Sequence, residues 1–109
     1  MKLHEMIFSF PGNKDYSIPR EWSHTGVVGS GDMEVLVRRT DLGGGVNVKV
    51  TTPVRGYDDV WGKVLRRFVG ESGLGNVSIN INDNNSTPFV AAMRLKQAAI
   101  ELGEGGDAT

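Results

Sequence analysis

Ser30 stands between Gly29 and Gly31, with Val27-Val28 before it and Met33-Glu34-Val35-Leu36 following Asp32. Gly-Ser-Gly-Asp is good turn material on composition alone. The same glycines also leave a small hydroxyl open to approach by another enzyme. Reaction as a nucleophile demands more equipment. A nucleophile elbow needs glycine two places to either side of the serine, and Val28 and Asp32 hold those places. Gly26 to Gly31 has the glycine spacing of a phosphate-binding loop, yet Asp32-Met33 replaces the Lys and Ser/Thr that grip phosphate and magnesium. Only His4 and His24 are available as bases, and neither has a recognisable spacing to a nucleophile and an orienting acid. A Ser30–His24–Asp32 triad would rest on geometry, not on pattern.

Other chemistry is thinner still. Asn80 to Asn85 places oxygen ligands alternately, as a calcium loop does, but Asn85 and Ala91 occupy the sixth and twelfth places where glycine and glutamate belong. With no cysteine and two scattered histidines, no transition-metal site is expected, and any thiol chemistry must be imported. A formal net charge of -1 gives no reason to expect nucleic acid, so Arg38-Arg39 and Arg66-Arg67 read as solvated surface charge. Residues 1–7 lack an apolar leader, and no run approaches the roughly 20 apolar residues of a membrane span. The expectation is a soluble, cytoplasmic protein.

The elements that must position Ser30 fit one domain over 1–103, with 104–109 expected as a disordered tail. Met6 to Phe10 predicts a strand ended by Pro11-Gly12, and Asn13 to Glu21 a loop. Trp22 to Val28 predicts a second strand leading into Ser30. Met33, Val35 and Val37 alternate along a third, and Val46, Val48 and Val50 along a fourth. Asp41 to Gly45 between them predicts a hairpin. Val60, Trp61, Val64, Leu65 and Phe68 then trace a helical stripe, and Val77, Ile79 and Ile81 return to strand periodicity. Thr87-Pro88 starts a last helix, with Ala92, Leu95, Ala99 and Leu102 as its inner row and Gly103 as its stop. The sum is an α+β fold: a mainly antiparallel sheet with two helices packed on one face.

Gly26 to Leu36 closely resembles the hallmark of the acyl carrier (delta) subunit of biotin-independent malonate decarboxylase. Trp61 with Phe68, Val77 to Asp83, Thr87-Pro88, and Val90 with Arg94-Leu95 and Gln97 are similar to that family's second half, in the same order. The resemblance implies that Ser30 carries covalently attached 2'-(5''-triphosphoribosyl)-3'-dephospho-CoA through a phosphodiester bond. The thiol missing from the chain would then belong to this group. Acetyl on it is exchanged for malonyl, carbon dioxide leaves, and acetyl remains for the next exchange. The resemblance further implies a carrier with no catalytic residues of its own. Its implied partners are the acyl-transferase (alpha) and decarboxylase (beta, gamma) subunits, a malonyl transferase, and the transferase that loads the group. Asp32 would orient Ser30 or meet a partner.

Ordinary four-helix acyl carrier proteins place their serine at a helix start after Asp, with Leu following. Here Gly31 follows and a strand comes next, so a different fold is expected. The segment from Pro11 to Glu21, the Gly43-Gly44-Gly45 turn and the acidic tail depart from the family pattern. Competing readings are a small serine hydrolase using Ser30 and a non-catalytic binding module.

Overall fold

The computed structural model describes residues 2–104. In chain order its elements are β1 (His4–Phe10), β2 (Trp22–Gly26), β3 (Asp32–Arg39), β4 (Val46–Thr52), α1 (Asp58–Ser72), β5 (Val77–Asn84) and α2 (Pro88–Glu104). The strands form one sheet in the order β1-β4-β5-β3-β2. β4 and β5 run parallel, and the other three pairs are antiparallel. A parallel return needs a crossover long enough to bring the chain back to its starting end, and α1 supplies it.

Alternation in β3, β4 and β5 puts their apolar side chains on a single face. Val35 and Val37 sit opposite Ile81 and Ile79, which in turn sit opposite Val50 and Val48. All six are at most 2% exposed, and each contributes roughly 1.5–3 kcal/mol through burial. Trp61, Leu65 and Val69 of α1 and Ala91, Leu95, Ala98 and Leu102 of α2 cover this layer. Glu5, Ile7, His24, Lys49 and Asn80 lie on the other face and are exposed. The α+β arrangement with both helices on one face agrees with the alternation read from the sequence. Among the described residues, no helix is long and apolar enough to cross a membrane.

The expected hairpin of β3 and β4 does not form. β5 lies between them and pairs with both, so the glycine-rich segment from Thr40 to Gly45 spans two strand spacings, about 9–10 Å. Asn76 holds that span. Its Oδ1 accepts from Gly44 N at 2.7 Å and Leu42 N at 3.3 Å, and its Nδ2 donates to the carbonyls of Tyr16 at 2.9 Å and Lys14 at 3.3 Å. Its backbone N–H donates to Gly45 O at 2.9 Å, and its carbonyl accepts from Thr40 N at 2.9 Å. Turn composition reports that the chain reverses. It carries no information about a later strand inserted between the arms.

Smaller departures share one cause, the direction of each element against the sheet. β2 stops at Gly26, leaving Val27 and Val28 outside it and 59% and 53% exposed. The inner row of α2 is Ala91, Leu95, Ala98 and Leu102, while Ala92 is exposed and Ala99 half-buried. Both alanine pairs have helical spacing with Leu95 and Leu102, so periodicity alone does not choose between them. In α1, Val69 is buried and Val60 is exposed. Gly103 lies inside the last turn of α2, which reaches Glu104. The expected tail over 105–109 falls outside the described residues.

Candidate functional site

Asp32 N–H donates to Gly29 O at 3.0 Å, closing a four-residue turn with Ser30 second and Gly31 third. Gly31 has φ +76°, while Ser30 stays out of the positive-φ region, which makes this a type II turn. That geometry requires glycine at position 31 for its backbone alone, since a Cβ there would meet nothing within 4 Å. Gly29 takes an ordinary φ, so the two flanking glycines have different roles. Gly31 N–H also donates to Asn84 O at 2.8 Å, fastening the turn to the end of β5. Ser30 is left exposed at the outer corner, beside the exposed pair Val27-Val28.

Asp32 turns its carboxylate to Arg94 and the Met33 amide and not directly to the Ser30 hydroxyl. Arg94 of α2 grips it with two parallel hydrogen bonds, Nε to Oδ1 at 2.9 Å and Nη2 to Oδ2 at 2.6 Å. Met33 N–H adds a third, to Oδ1 at 2.7 Å. The Arg94 hydrogen bonds, helped by the Met33 amide, hold the Asp32 carboxyl down at about 2. Arg94 is itself placed by its neighbours: Nη1 donates to Gln97 Oε1 at 2.9 Å, and Gln97 Nε2 to Glu101 Oε1 at 3.4 Å. Thr25 Oγ1 donates to Glu101 as well, tying β2 to the same helix.

Gly26 lies against this latch. It ends β2 at φ +83°, and a Cβ on it would lie 2.3 Å from Met33 O and 3.4 Å from both Cδ and Nε of Arg94. What excludes a side chain at position 26 is the Met33 carbonyl, while Arg94 passes over the glycine at contact distance. Arg94 is the residue whose role sequence reasoning missed. It appears there only as part of a family pattern, because its partner lies 62 positions away. An arginine on α2 beside the inner position Leu95 was the available signal.

The remaining candidates are committed elsewhere. His24 Nε2 lies 2.9 Å from Glu34 Oε2, and Asn82 Nδ2 donates to Glu34 Oε1 at 2.7 Å. Those contacts, His24 first, lower the Glu34 carboxyl below its ordinary range. With His24 on Glu34 and Asp32 on Arg94, the Ser30–His24–Asp32 triad is not assembled. His4 Nε2 lies 3.1 Å from Asp58 Oδ1. In the Asn80 to Asn85 segment, Asp83 is buried, and its carboxylate accepts from Thr52 Oγ1 at 2.8 Å, Ser86 N at 3.0 Å and the Ser86 hydroxyl. It secures the approach to α2, where Thr87 Oγ1 accepts from Val90 N at 3.2 Å as the helix cap.

This arrangement presents an exposed hydroxyl on a fixed corner, and among the described residues His24 and Asp32 are each paired elsewhere. Residues 20–102 match the family model described as malonate decarboxylase delta subunit (MdcD). The chain is 48% identical over 99 residues to the malonate decarboxylase acyl carrier protein of Malonomonas rubra, covering 91% of this chain and 88% of that relative. It is 39% identical over 106 residues to the protein of the same description from Xanthomonas campestris pv. campestris (strain B100), covering 97% and 100%. Its fold superposes with a TM-score of 0.80 on a chain of a Pseudomonas malonate decarboxylase hetero-tetramer crystallised in complex with malonate. That likeness is at 31% identity and covers 92% of this chain and 99% of the other.

Proposed function

Because the chain belongs to the malonate decarboxylase delta-subunit family, we propose that Ser30 is the covalent attachment point of the acyl-carrying prosthetic group of a malonate decarboxylase. The observation that carries this reading is the Ser30 corner itself, an exposed hydroxyl on a type II turn locked by Asp32 and Arg94. Its room suits a bulky group, since Gly31 offers no side chain on one side and Gly29 none on the other. The group we assign is 2'-(5''-triphosphoribosyl)-3'-dephospho-CoA. Loading joins Ser30 Oγ to the ribosyl-bound phosphate and breaks the link from that phosphate to the rest of the triphosphate. Pyrophosphate leaves with the bonding electrons, and the serine proton passes to the loading transferase.

When bound, the group supplies the thiol that carries acetyl or malonyl as a thioester. The chain's own residues hold its point of attachment. The Arg94–Asp32 pair fixes the direction in which Ser30 Oγ leaves the surface, and the Gly31–Asn84 hydrogen bond ties that direction to the sheet. A tether at a defined point raises the concentration of the acyl group at each partner site, to about millimolar for a flexible link. The partners are the acyl-transferase (alpha) and decarboxylase (beta, gamma) subunits, a malonyl transferase, and the transferase that loads Ser30.

Intact mass tests the assignment. Chain taken from its native complex should exceed the sequence mass by one prosthetic group, and Ser30→Ala should abolish the addition while the fold persists. An active complex whose Ser30 is unmodified overturns it.

A further inference from the structure

Asn85, which follows the strand end that receives the Ser30 turn, lines a cleft of about 330 Å3 between the first turns of α1 and α2, a volume within the usual range of small-molecule sites, about 300–1,000 Å3. Trp61, Val54 and Val60 form an apolar wall, and Asn85, Ser86 and Thr87 supply a polar rim. Through the hydrogen bond from Gly31 N to Asn84 O at 2.8 Å, Ser30 and Asn85 lie at most about 8 Å apart between Cα atoms, given standard peptide dimensions. Resting on the assignment of Ser30 as attachment point, we infer that this cleft shelters the acetyl end of the chain's own arm between transfers, and turns the malonyl end away.

The discrimination follows from charge. An acetyl thioester is neutral and has a methyl group to bury against Trp61. A malonyl thioester ends in a carboxylate, and no Lys, Arg or His lines the cleft to receive it. Asp83 in the cleft wall already accepts from Thr52 and Ser86, and as an acid it offers a carboxylate no cationic partner. Two helix N-termini point toward this end of the sheet and would favour an anion. That of α1 is answered by Asp58 and Asp59 in its first turn, and that of α2 by the Thr87 cap. Burying an unpaired carboxylate is costly, whereas burying a methyl is favourable. The acetyl end would thus be sheltered after decarboxylation, and once malonyl replaces acetyl on the thiol the arm's end would stay outside the cleft.

The full chain, loaded and verified by intact mass, tests this by nuclear magnetic resonance. Because the chain has no cysteine, the arm's thiol is its single thiol and can be acetylated or malonylated selectively. Expected are nuclear Overhauser contacts from the acetyl methyl protons to the Trp61 ring and Val60, with shifted Ser86 and Thr87 amides. In the malonyl form those contacts are lost and the Trp61 indole returns to its unloaded position. Added mass without contacts in the acetyl form overturns this inference alone, as do equal contacts in both forms. Absence of added mass at Ser30 overturns it together with the attachment reading.

Discussion

Gly26→Ala separates two reasons for a glycine at the end of β2. The residue sits at φ +83°, a left-handed conformation that costs a residue with a Cβ about 1–2 kcal/mol. The new Cβ would also lie 2.3 Å from the Met33 carbonyl, an overlap with backbone that cannot rotate away and adds about 1–3 kcal/mol. Gly31→Ala is the matched control: its φ is +76° and its Cβ would touch nothing within 4 Å, so it should lose only the conformational part, about 1–2 kcal/mol. Urea unfolding of the two variants should therefore differ by about 1–3 kcal/mol, with Gly26→Ala the less stable. The overlap should also push β2 away from Arg94 and loosen its grip on Asp32, so the Asp32 carboxyl, followed by NMR titration, should move up from about 2 toward its ordinary value. Equal stabilities, within about 0.5 kcal/mol, would refute the steric argument. An unmoved Asp32 titration would refute the claim that the strain at Gly26 is passed through Met33 to the latch.

Asp32 in the wild-type chain has a folded pKa of about 2, below its unfolded value near 3.8. Its contribution is thus fully present above pH about 4 and is lost as pH falls through about 2; a midpoint near 4 by carboxyl NMR would show that Arg94 does not hold it. Arg94→Lys keeps a positive charge and loses the two-pronged geometry, so the Asp32 titration should rise and loading of Ser30 by its transferase should slow while the fold is retained; unchanged loading would remove Arg94 from the site. Asn76→Gly keeps φ +58° accessible and deletes four side-chain hydrogen bonds, so unfolding should be easier by about 2–6 kcal/mol at a net 0.5–1.5 each. A loss below about 0.5 kcal/mol would mean that the crossing of β5 is held by strand pairing alone.

Properties carried by neighbouring residues were legible in the sequence. Alternation in β3, β4 and β5 specified which side chains are buried, because successive strand residues point to opposite faces. Gly-Ser-Gly-Asp specified a turn because a type II turn needs one residue at positive φ. Sheet order was not legible. Val46, Val48 and Val50 would be equally well buried beside β3 or, as found, beside β5 and β1. What selects the second arrangement is the length of α1, which returns the chain parallel to β4, and Asn76, four of whose hydrogen bonds hold the glycine segment across the gap. None of these leaves a periodic signature.

The site divides in the same way, and the division bears on how a carrier works. Ser30 was legible since all that presents its hydroxyl lies within one turn. Its anchoring was not, since Asp32 is held from 62 positions away on α2, by an arginine that lies against Gly26 of β2. A flexible arm reaching several partners gains from a base that does not move, because slack at the attachment point enlarges the volume the acyl group explores and dilutes it at every partner. A local turn alone is too easily deformed to give that base. Joining it to β5 through Asn84 and to α2 through Arg94 makes the corner move with the sheet and helix, so under the proposed attachment mobility would be confined to the arm. On this argument Asp32 serves the reaction by fixing geometry, and its substitution should change how fast Ser30 is loaded and how well the loaded arm finds its partners, with no effect on the chemistry of the thioester itself.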